Sequence, residues 1–152
     1  MSEVLAGEAQ IRRLIPHAEA MCLLQEVLEC GDCHIVCRTT THRDRGNPLA
    51  LHGRLSALHL VEYGAQAMAI HGGLLAECGG QGHAPKPGVL AAARDIALHV
   101  DDLATVAAPL IITATRLTVS AAGRNYAFTA HADGQLLGQG RVLVMTATAP
   151  ML

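Results

Sequence analysis

The feature of this sequence that most limits its possible folds is a long apolar segment in the middle of the chain. Residues 56–77 read SALHLVEYGAQAMAIHGGLLAE, and a helix of this sequence would carry apolar side chains on nearly every face. A helix that is apolar all round is buried on all sides. At about 1.5 Å per residue it would be roughly 30 Å long, enough to cross a small domain. We therefore predict one central, buried helix over Ser56–Glu77.

The segments on either side of this helix read as strands and turns. Apolar and β-branched runs predict a strand pair within Leu23–Thr41 and four later strands, Val89–Val100, Leu110–Ser120, Asn125–Ala132 and Gln135–Thr146. Turn residues predict hairpin turns at Ala121–Arg124 and Asp133-Gly134 and loops at His42–Gly53 and Cys78–Gly88. One antiparallel sheet must wrap the helix to bury it. The 152 residues thus predict a single α+β domain, residues 1–152, with the hotdog fold.

Composition removes several classes of function. Only 2% of the residues are aromatic, which argues against a surface that stacks bases or sugars, and the net charge of −2 without a basic run argues against nucleic-acid binding. The N-terminal residues lack the apolar core of a signal peptide, and no apolar run reaches the eighteen or so residues of a membrane span. We expect a cytoplasmic protein, with no membrane association and with its five cysteines mostly reduced.

One cysteine motif has the letters of a cofactor site. Cys30-Gly31-Asp32-Cys33-His34 has the spacing of c-type haem attachment, and the nearby Cys37 would allow a zinc site. Apolar stretches flank Gly31-Asp32, however, and that pattern is typical of a tight turn between two strands. Haem attachment also requires export. We therefore interpret the motif as a turn and expect neither metal nor cofactor.

Three segments, in order along the chain, resemble the 3-hydroxyacyl-acyl-carrier-protein dehydratases, a hotdog family. Residues 14–28 contain a Pro-His pair before an apolar strand, residues 61–69 contain Glu62 followed four residues later by Gln66 and then small residues, and residues 87–100 look like the strand after the helix. The similarity spans roughly residues 11–147. It looks closest to the dehydratase-like proteins of aryl polyene synthesis, which share the shortened loop before the helix.

The resemblance implies that water is eliminated from a 3-hydroxyacyl thioester by a His and a carboxylate drawn from two subunits, beside a helix N-terminus whose amides and dipole face the thioester carbonyl. Glu62 matches the carboxylate, and Gln66 lies one turn on along the same helix face. The family's His-Phe-Pro-Gly segment is missing here, and the ungapped count from Glu62 falls on Pro48. His52-Gly53 fills that place if about four residues are deleted.

The candidate site therefore has two groups of residues. Glu62 and His52 are the expected catalytic pair. Gln66, His59 and Gly53 are expected to contact substrate, and His59 is also a second candidate for the catalytic His because it lies three residues before Glu62 on the same face. We interpret the remaining matches, His17, Arg12, Arg13 and Arg43, as a structural His and surface arginines, the latter able to meet an acidic carrier protein.

Three functions remain open from the sequence. The chain is a dehydratase of carrier-bound acyl chains, a hotdog thioesterase in which Glu62 activates water, or a non-catalytic acyl-binding subunit that pairs with an active hotdog partner. Each implies acyl carrier protein or a coenzyme A thioester as partner. A sheet curled around one helix leaves an open edge, so we expect at least a homodimer, or a heterodimer with another hotdog protein.

Overall fold

The structure of the protein is a computed structural model that describes residues 4–15, 21–78 and 88–146. Within these residues, two α-helices and six strands follow each other: α1 (Glu8–Leu14), β1 (Glu26–Cys30), β2 (His34–Thr39), α2 (Leu60–Cys78), β3 (Gly88–Leu98), β4 (Leu110–Val119), β5 (Gly123–Ala132) and β6 (Gln135–Thr146). A 3₁₀ turn, Ala57–His59, leads directly into α2. The strands and the central helix lie where the sequence predicts them. The loop expected over Cys78–Gly88 falls mostly outside the described residues.

The six strands form one antiparallel sheet in the order β1-β2-β4-β5-β6-β3. Helix α2 packs across this sheet and contacts five of its strands, β2 to β6. The strand that follows α2 lies at one end of the sheet, because β6 returns between β5 and β3. This arrangement confirms the α+β hotdog fold.

The core is built mainly from aliphatic side chains, and the chain's three aromatic side chains are all buried within it. Tyr63 of α2 and Tyr126 and Phe128 of β5 are at most 1% exposed. Gly64 lets the helix approach the sheet closely, because a Cβ at that position would lie 2.7 Å from Cγ of Phe128. Because the core has so few aromatic rings, the helix backbone packs close to the sheet, and little space is left between them.

Burial of α2 on all sides is the one part of the helix prediction that needs correction. A stripe of side chains is only half-buried: Val61, Glu62, Ala65 and Ala69. Residues spaced three and four apart lie on one face of a helix. The single sheet covers the opposite face, so this stripe is left partly open within the described part of the chain. None of the described helices is long and apolar enough to span a membrane.

Helix α1 was not anticipated from the sequence. It packs against α2 and buries Ile11 and Leu14. The residues just before it reach the free side of β1, where the Leu5 amide donates to the Val27 carbonyl (2.7 Å) and the Val27 amide donates to the Ala6 carbonyl (2.9 Å). This N-terminal segment therefore covers the β1 edge of the sheet.

The other edge of the sheet, β3, is open. No described segment pairs with its free side. Its side chains are largely exposed, including Leu90 (42%) and Leu98 (37%). A bulge interrupts its pairing with β6 between Arg94 and Ala97, where Asp95 has φ 54°. An exposed apolar edge is a template for pairing with another chain.

Candidate functional site

The start of α2 is held by the loop that precedes β4. The Ala57 amide donates to the Asp101 carbonyl (2.9 Å), and Oδ1 of Asp102 accepts from the amides of Leu55 (2.9 Å) and Ala104 (2.9 Å). These hydrogen bonds lower the pKa of the Asp102 carboxyl below its usual value, and the bond from Leu55 has the largest effect. Asp102 is a site-positioning residue that sequence reasoning missed, since nothing in the sequence places it beside the helix.

The first amides of the helical segment all have partners within the protein. The Leu58 amide donates to Oγ of Ser56 (3.2 Å), and the His59 amide donates to the Ser56 carbonyl (3.0 Å). The Leu60 amide is bonded to carbonyls of the 3₁₀ turn. The dipole of α2 still places partial positive charge here. The amide donors that the resemblance implies for a thioester carbonyl are already engaged in capping the helix.

Glu62 and Gln66 form the centre of the candidate site. Glu62 is half-buried in the first turn of α2, and its Oε1 accepts from Nε2 of Gln66 at 3.2 Å. Gln66 is fully buried, and its other hydrogen bonds reach the segment before β1: Nε2 donates to the Met21 carbonyl (2.6 Å) and Oε1 accepts from the Leu23 amide (2.8 Å). Gln66 thus orients the carboxylate and ties α2 to that segment.

A second buried network fixes the loop before the helix. The hydroxyls of Thr39 and Thr41 both donate to the Leu23 carbonyl (2.6 Å each), and Oγ1 of Thr41 lies 2.9 Å from the Tyr63 hydroxyl. Nδ2 of Asn47 donates to the same hydroxyl at 3.3 Å. Burial raises the pKa of Tyr63, so it stays a neutral donor and acceptor. The two threonines and the only tyrosine of the helix were visible in the sequence, but their convergence was not.

His52 and Gly53 form the tip of an exposed turn. The backbones of Leu51 and Arg54 exchange hydrogen bonds (2.8 and 3.0 Å) across it. Both tip residues have positive φ, 53° and 74°, as in the tight two-residue turns of β-hairpins. The structure therefore brings Glu62 and Gln66 together, whereas His52 and Gly53 lie exposed at the tip of this turn. Pro48, at the ungapped family position, is also exposed.

His59 is nearer to Glu62 along the sequence than His52 is. It is half-buried at the end of the 3₁₀ turn, three residues before Glu62. His17 lies outside the described residues. Arg43 donates to the Ala107 carbonyl (3.0 Å), and Arg12 pairs with Glu8 (3.6 Å) on the surface.

A different polar pair lies near the other end of α2. His71 is fully buried, with Nδ1 2.6 Å from the Tyr126 hydroxyl and Nε2 2.8 Å from the Gly31 carbonyl. A carbonyl can only accept, so Nε2 carries the proton and Nδ1 accepts from Tyr126. Burial lowers the pKa of His71. The pair joins α2 to the β1–β2 hairpin.

The cysteine motif forms that hairpin. Cys30 pairs with Ile35 across it, and the Gly31 amide donates to the His34 carbonyl (2.9 Å), which confirms the predicted turn. Within the residues that the structure describes, no group of three His, Cys, Asp or Glu side chains could hold a metal ion. Cys37, inside the sheet, has its pKa raised to about 12 by burial.

Solved structures share this fold. The chain is similar to the dehydratase heterocomplex ApeI:P from Xenorhabdus doucetiae (TM-score 0.81, 23% identity, 91% of each chain covered). It is less similar to zebra fish thioesterase superfamily member 2 (TM-score 0.58, 20% identity, 87% of this chain and 88% of that chain). A hypothetical thioesterase with coenzyme A from Streptococcus pneumoniae TIGR4 also matches (TM-score 0.53, 15% identity, 80% of this chain and 84% of that chain).

The similarity to solved structures at these identities concerns the fold. No curated protein matches the chain. A family model does: the ApeP-like model, described as ApeP dehydratase, matches residues 9–151, almost the whole length. The matched region includes α2 with Glu62 and Gln66 as well as all six strands. The chain is thus a dehydratase-like hotdog protein and belongs to the ApeP-like family.

Proposed function

We propose that the protein acts on 3-hydroxyacyl thioesters, eliminating water across C2 and C3 to give the 2-enoyl thioester, with Glu62 as one of the two proton-transferring groups. The observation that carries this proposal is the Glu62–Gln66 pair, in which a fully buried amide holds a half-buried carboxylate at 3.2 Å. An oriented carboxylate can protonate the departing hydroxyl, while a base takes the C2 proton.

The elimination also needs a base, and the resemblance to the dehydratases implies a His drawn from a second subunit. His52 is exposed at its turn tip, and His59 precedes the carboxylate on the same helical stretch. On that ground, and because His52 is exposed, we infer that a second hotdog chain brings a His to the half-buried stripe of α2. In a homodimer this would be His52 of the second copy. In a heterodimer it would be a His of the other protein.

The open β3 edge supports this assembly. Its exposed apolar side chains and unpaired backbone groups suit edge-to-edge pairing, which would extend the sheet into a second subunit. The similar ApeI:P structure is that of a heterocomplex. We therefore propose a heterodimer with another hotdog chain, and a homodimer where that chain is missing. The thioester would be carried by acyl carrier protein or by coenzyme A.

The test uses Glu62→Gln, which keeps the shape of the side chain and removes the acid. The purified protein would be incubated with crotonyl and 3-hydroxybutyryl thioesters, and both hydration and release of free thiol would be followed. General acid–base catalysis contributes on the order of a hundredfold to ten-thousandfold, so we expect hydration to fall by at least about a hundredfold. Glu77→Gln, at the exposed end of α2, is the matched control and should leave the rate unchanged.

The outcomes separate the three functions. Near-normal hydration by Glu62→Gln would overturn the catalytic role of the carboxylate. Release of free thiol without hydration would instead identify a thioesterase. A second candidate function, a non-catalytic acyl-binding subunit, is favoured by the exposure of His52. It predicts that a hotdog partner is active only, or more strongly, in complex with this protein, and that Glu62→Gln leaves the hydration rate of that complex unchanged.

A further inference from the structure

A shallow groove lies on the outer face of the sheet, opposite α2. Arg94 of β3 and Arg141 of β6 face each other directly in the antiparallel ladder, and Asn125 of β5 pairs with Leu143 in an adjacent row. Val142, between Arg141 and Leu143, is fully buried. Because neighbouring side chains of a strand alternate between faces, Arg141 and Leu143 point outward. With Ala92, these residues line a groove of about 100 Å³.

The groove carries an excess of positive charge. Like charges directly opposite each other on neighbouring strands destabilise a sheet. Nε of Arg141 lies 3.7 Å from Oδ2 of Asp95, but both side chains are more than half exposed, and such pairs contribute little. Among the described residues, Arg94 has no carboxylate within ion-pair distance. In the described part of the chain, the two arginines of the groove thus have one carboxylate within ion-pair distance, that of the solvent-exposed Asp95.

We propose that this groove binds a phosphate group. The planar guanidinium group matches phosphate oxygens with two parallel hydrogen bonds, and two such groups here would be joined by the amide of Asn125. The volume of about 100 Å³ can hold one phosphate group. Pairing of β3 with another chain would extend the sheet edge to edge and leave its outer face open. The groove therefore remains accessible in the proposed dimer.

The phosphate can come from two sources. One is free phosphate; the other is the phosphate of the pantetheine arm that carries the acyl group, an assignment that rests on the proposed function. Both present the same oxygens to Arg94 and Arg141. Because the two sources share this chemistry, the experiment has two parts. The first tests whether the groove binds phosphate, and the second tests which source the phosphate comes from.

The first arm measures the melting temperature in phosphate and in chloride at equal ionic strength. A ligand that binds only the folded state stabilises it, so phosphate should raise the melting temperature of the wild-type protein. Arg94→Gln and Arg141→Gln should each lose this increase. Both variants should fold well in chloride, because each removes a repulsive contact. Arg45→Gln, an exposed loop arginine, is the control of equal charge and should keep the increase. An unchanged increase in both groove variants, or none in the wild type, would overturn the site.

The second arm titrates the protein calorimetrically with 4′-phosphopantetheine and with pantetheine. If the arm's phosphate occupies the groove, phosphopantetheine should bind at least tenfold more tightly, and Arg94→Gln should abolish the difference. Equal binding of the two compounds, with the increase in melting temperature in phosphate intact, would overturn the assignment to the pantetheine phosphate. Free phosphate would then be the ligand. Hydration of phosphate-free pantetheine thioesters should be the same in Arg94→Gln and the wild type. The phosphate-site proposal and the proposed role of Glu62 can therefore be refuted independently of each other.

Discussion

The two halves of α2 use buried polar side chains in different ways. Near the N-terminus, the buried Gln66 holds the half-buried carboxylate of Glu62, which keeps contact with solvent. Near the C-terminus, His71 is fully buried, and both of its ring nitrogens are bonded to protein groups, the Tyr126 hydroxyl and the Gly31 carbonyl. A titratable group whose partners are all internal stabilises the fold, whereas one that is oriented yet accessible can exchange protons with a substrate.

Replacing Gln66 should have the largest effect. Gln66→Met keeps the length and the helix propensity of the side chain but leaves the Met21 carbonyl and the Leu23 amide without their partner. We expect unfolding in urea to show a loss of about 3 kcal/mol, because unsatisfied buried groups cost about 1–3 kcal/mol each. Turnover per folded molecule should also fall at least tenfold. A loss of stability with unchanged turnover would make the two halves of the helix equivalent.

Replacing His71 should affect stability only. His71→Leu removes the partner of both the Tyr126 hydroxyl and the Gly31 carbonyl, so we expect a loss of about 2 kcal/mol in the same urea measurement. The milder Tyr126→Phe should cost about 1 kcal/mol, since it removes one hydrogen bond. Turnover per folded molecule should match the wild type in both. A fall in turnover would show that the C-terminal half also takes part in the chemistry.

The smallest expected effect is a pH dependence of stability. Burial lowers the pKa of His71, and of the buried His42 of the loop, below the usual value of about 6.5. Between the usual and the lowered pKa the unfolded chain binds more protons than the folded one, so stability is complete above about pH 6.5 and falls as the pH falls below it. Urea midpoints at pH 7.5 and 5.5 would show this loss. It should be smaller in His71→Leu, and an equal loss would exclude His71 as a source.

Most of the fold could be predicted because its signals are local. The apolar run of α2 and the β-branched runs of the strands are read from neighbouring residues, and β6 spans Gln135–Thr146 as predicted. Helix α1 was missed because only Ile11 and Leu14 form its buried face, too few positions for a clear helical period. The full burial expected for α2 was wrong. The hydropathy pattern shows how apolar each face of the helix is, but the width of the sheet decides how many of those faces are covered.

The candidate site was predictable only in part. Glu62 and Gln66 are one helical turn apart, so their contact follows from spacing. The partners that fix them, Met21, Leu23 and the Asp102 loop, lie some 40 residues away in sequence. The position of His52 depended on the local turn instead, since the positive φ of both tip residues closes a tight hairpin that projects into solvent. Long-range hydrogen bonds and loop conformation are what the sequence pattern does not contain.

The unequal covering of the two sheet edges also limits how large an assembly can grow. The hydrogen bonds of Leu5 and Ala6 to Val27 occupy the β1 side, so strand addition is left to β3 within the described chain. When each molecule has one free sheet edge, edge-to-edge pairing ends once two copies have joined. If residues 5 and 6 were to detach from β1, each copy would have two free sheet edges. Head-to-tail addition could then continue without closure and form a fibre. The hydrogen bonds of residues 5 and 6 therefore leave one sheet edge for pairing within the described chain.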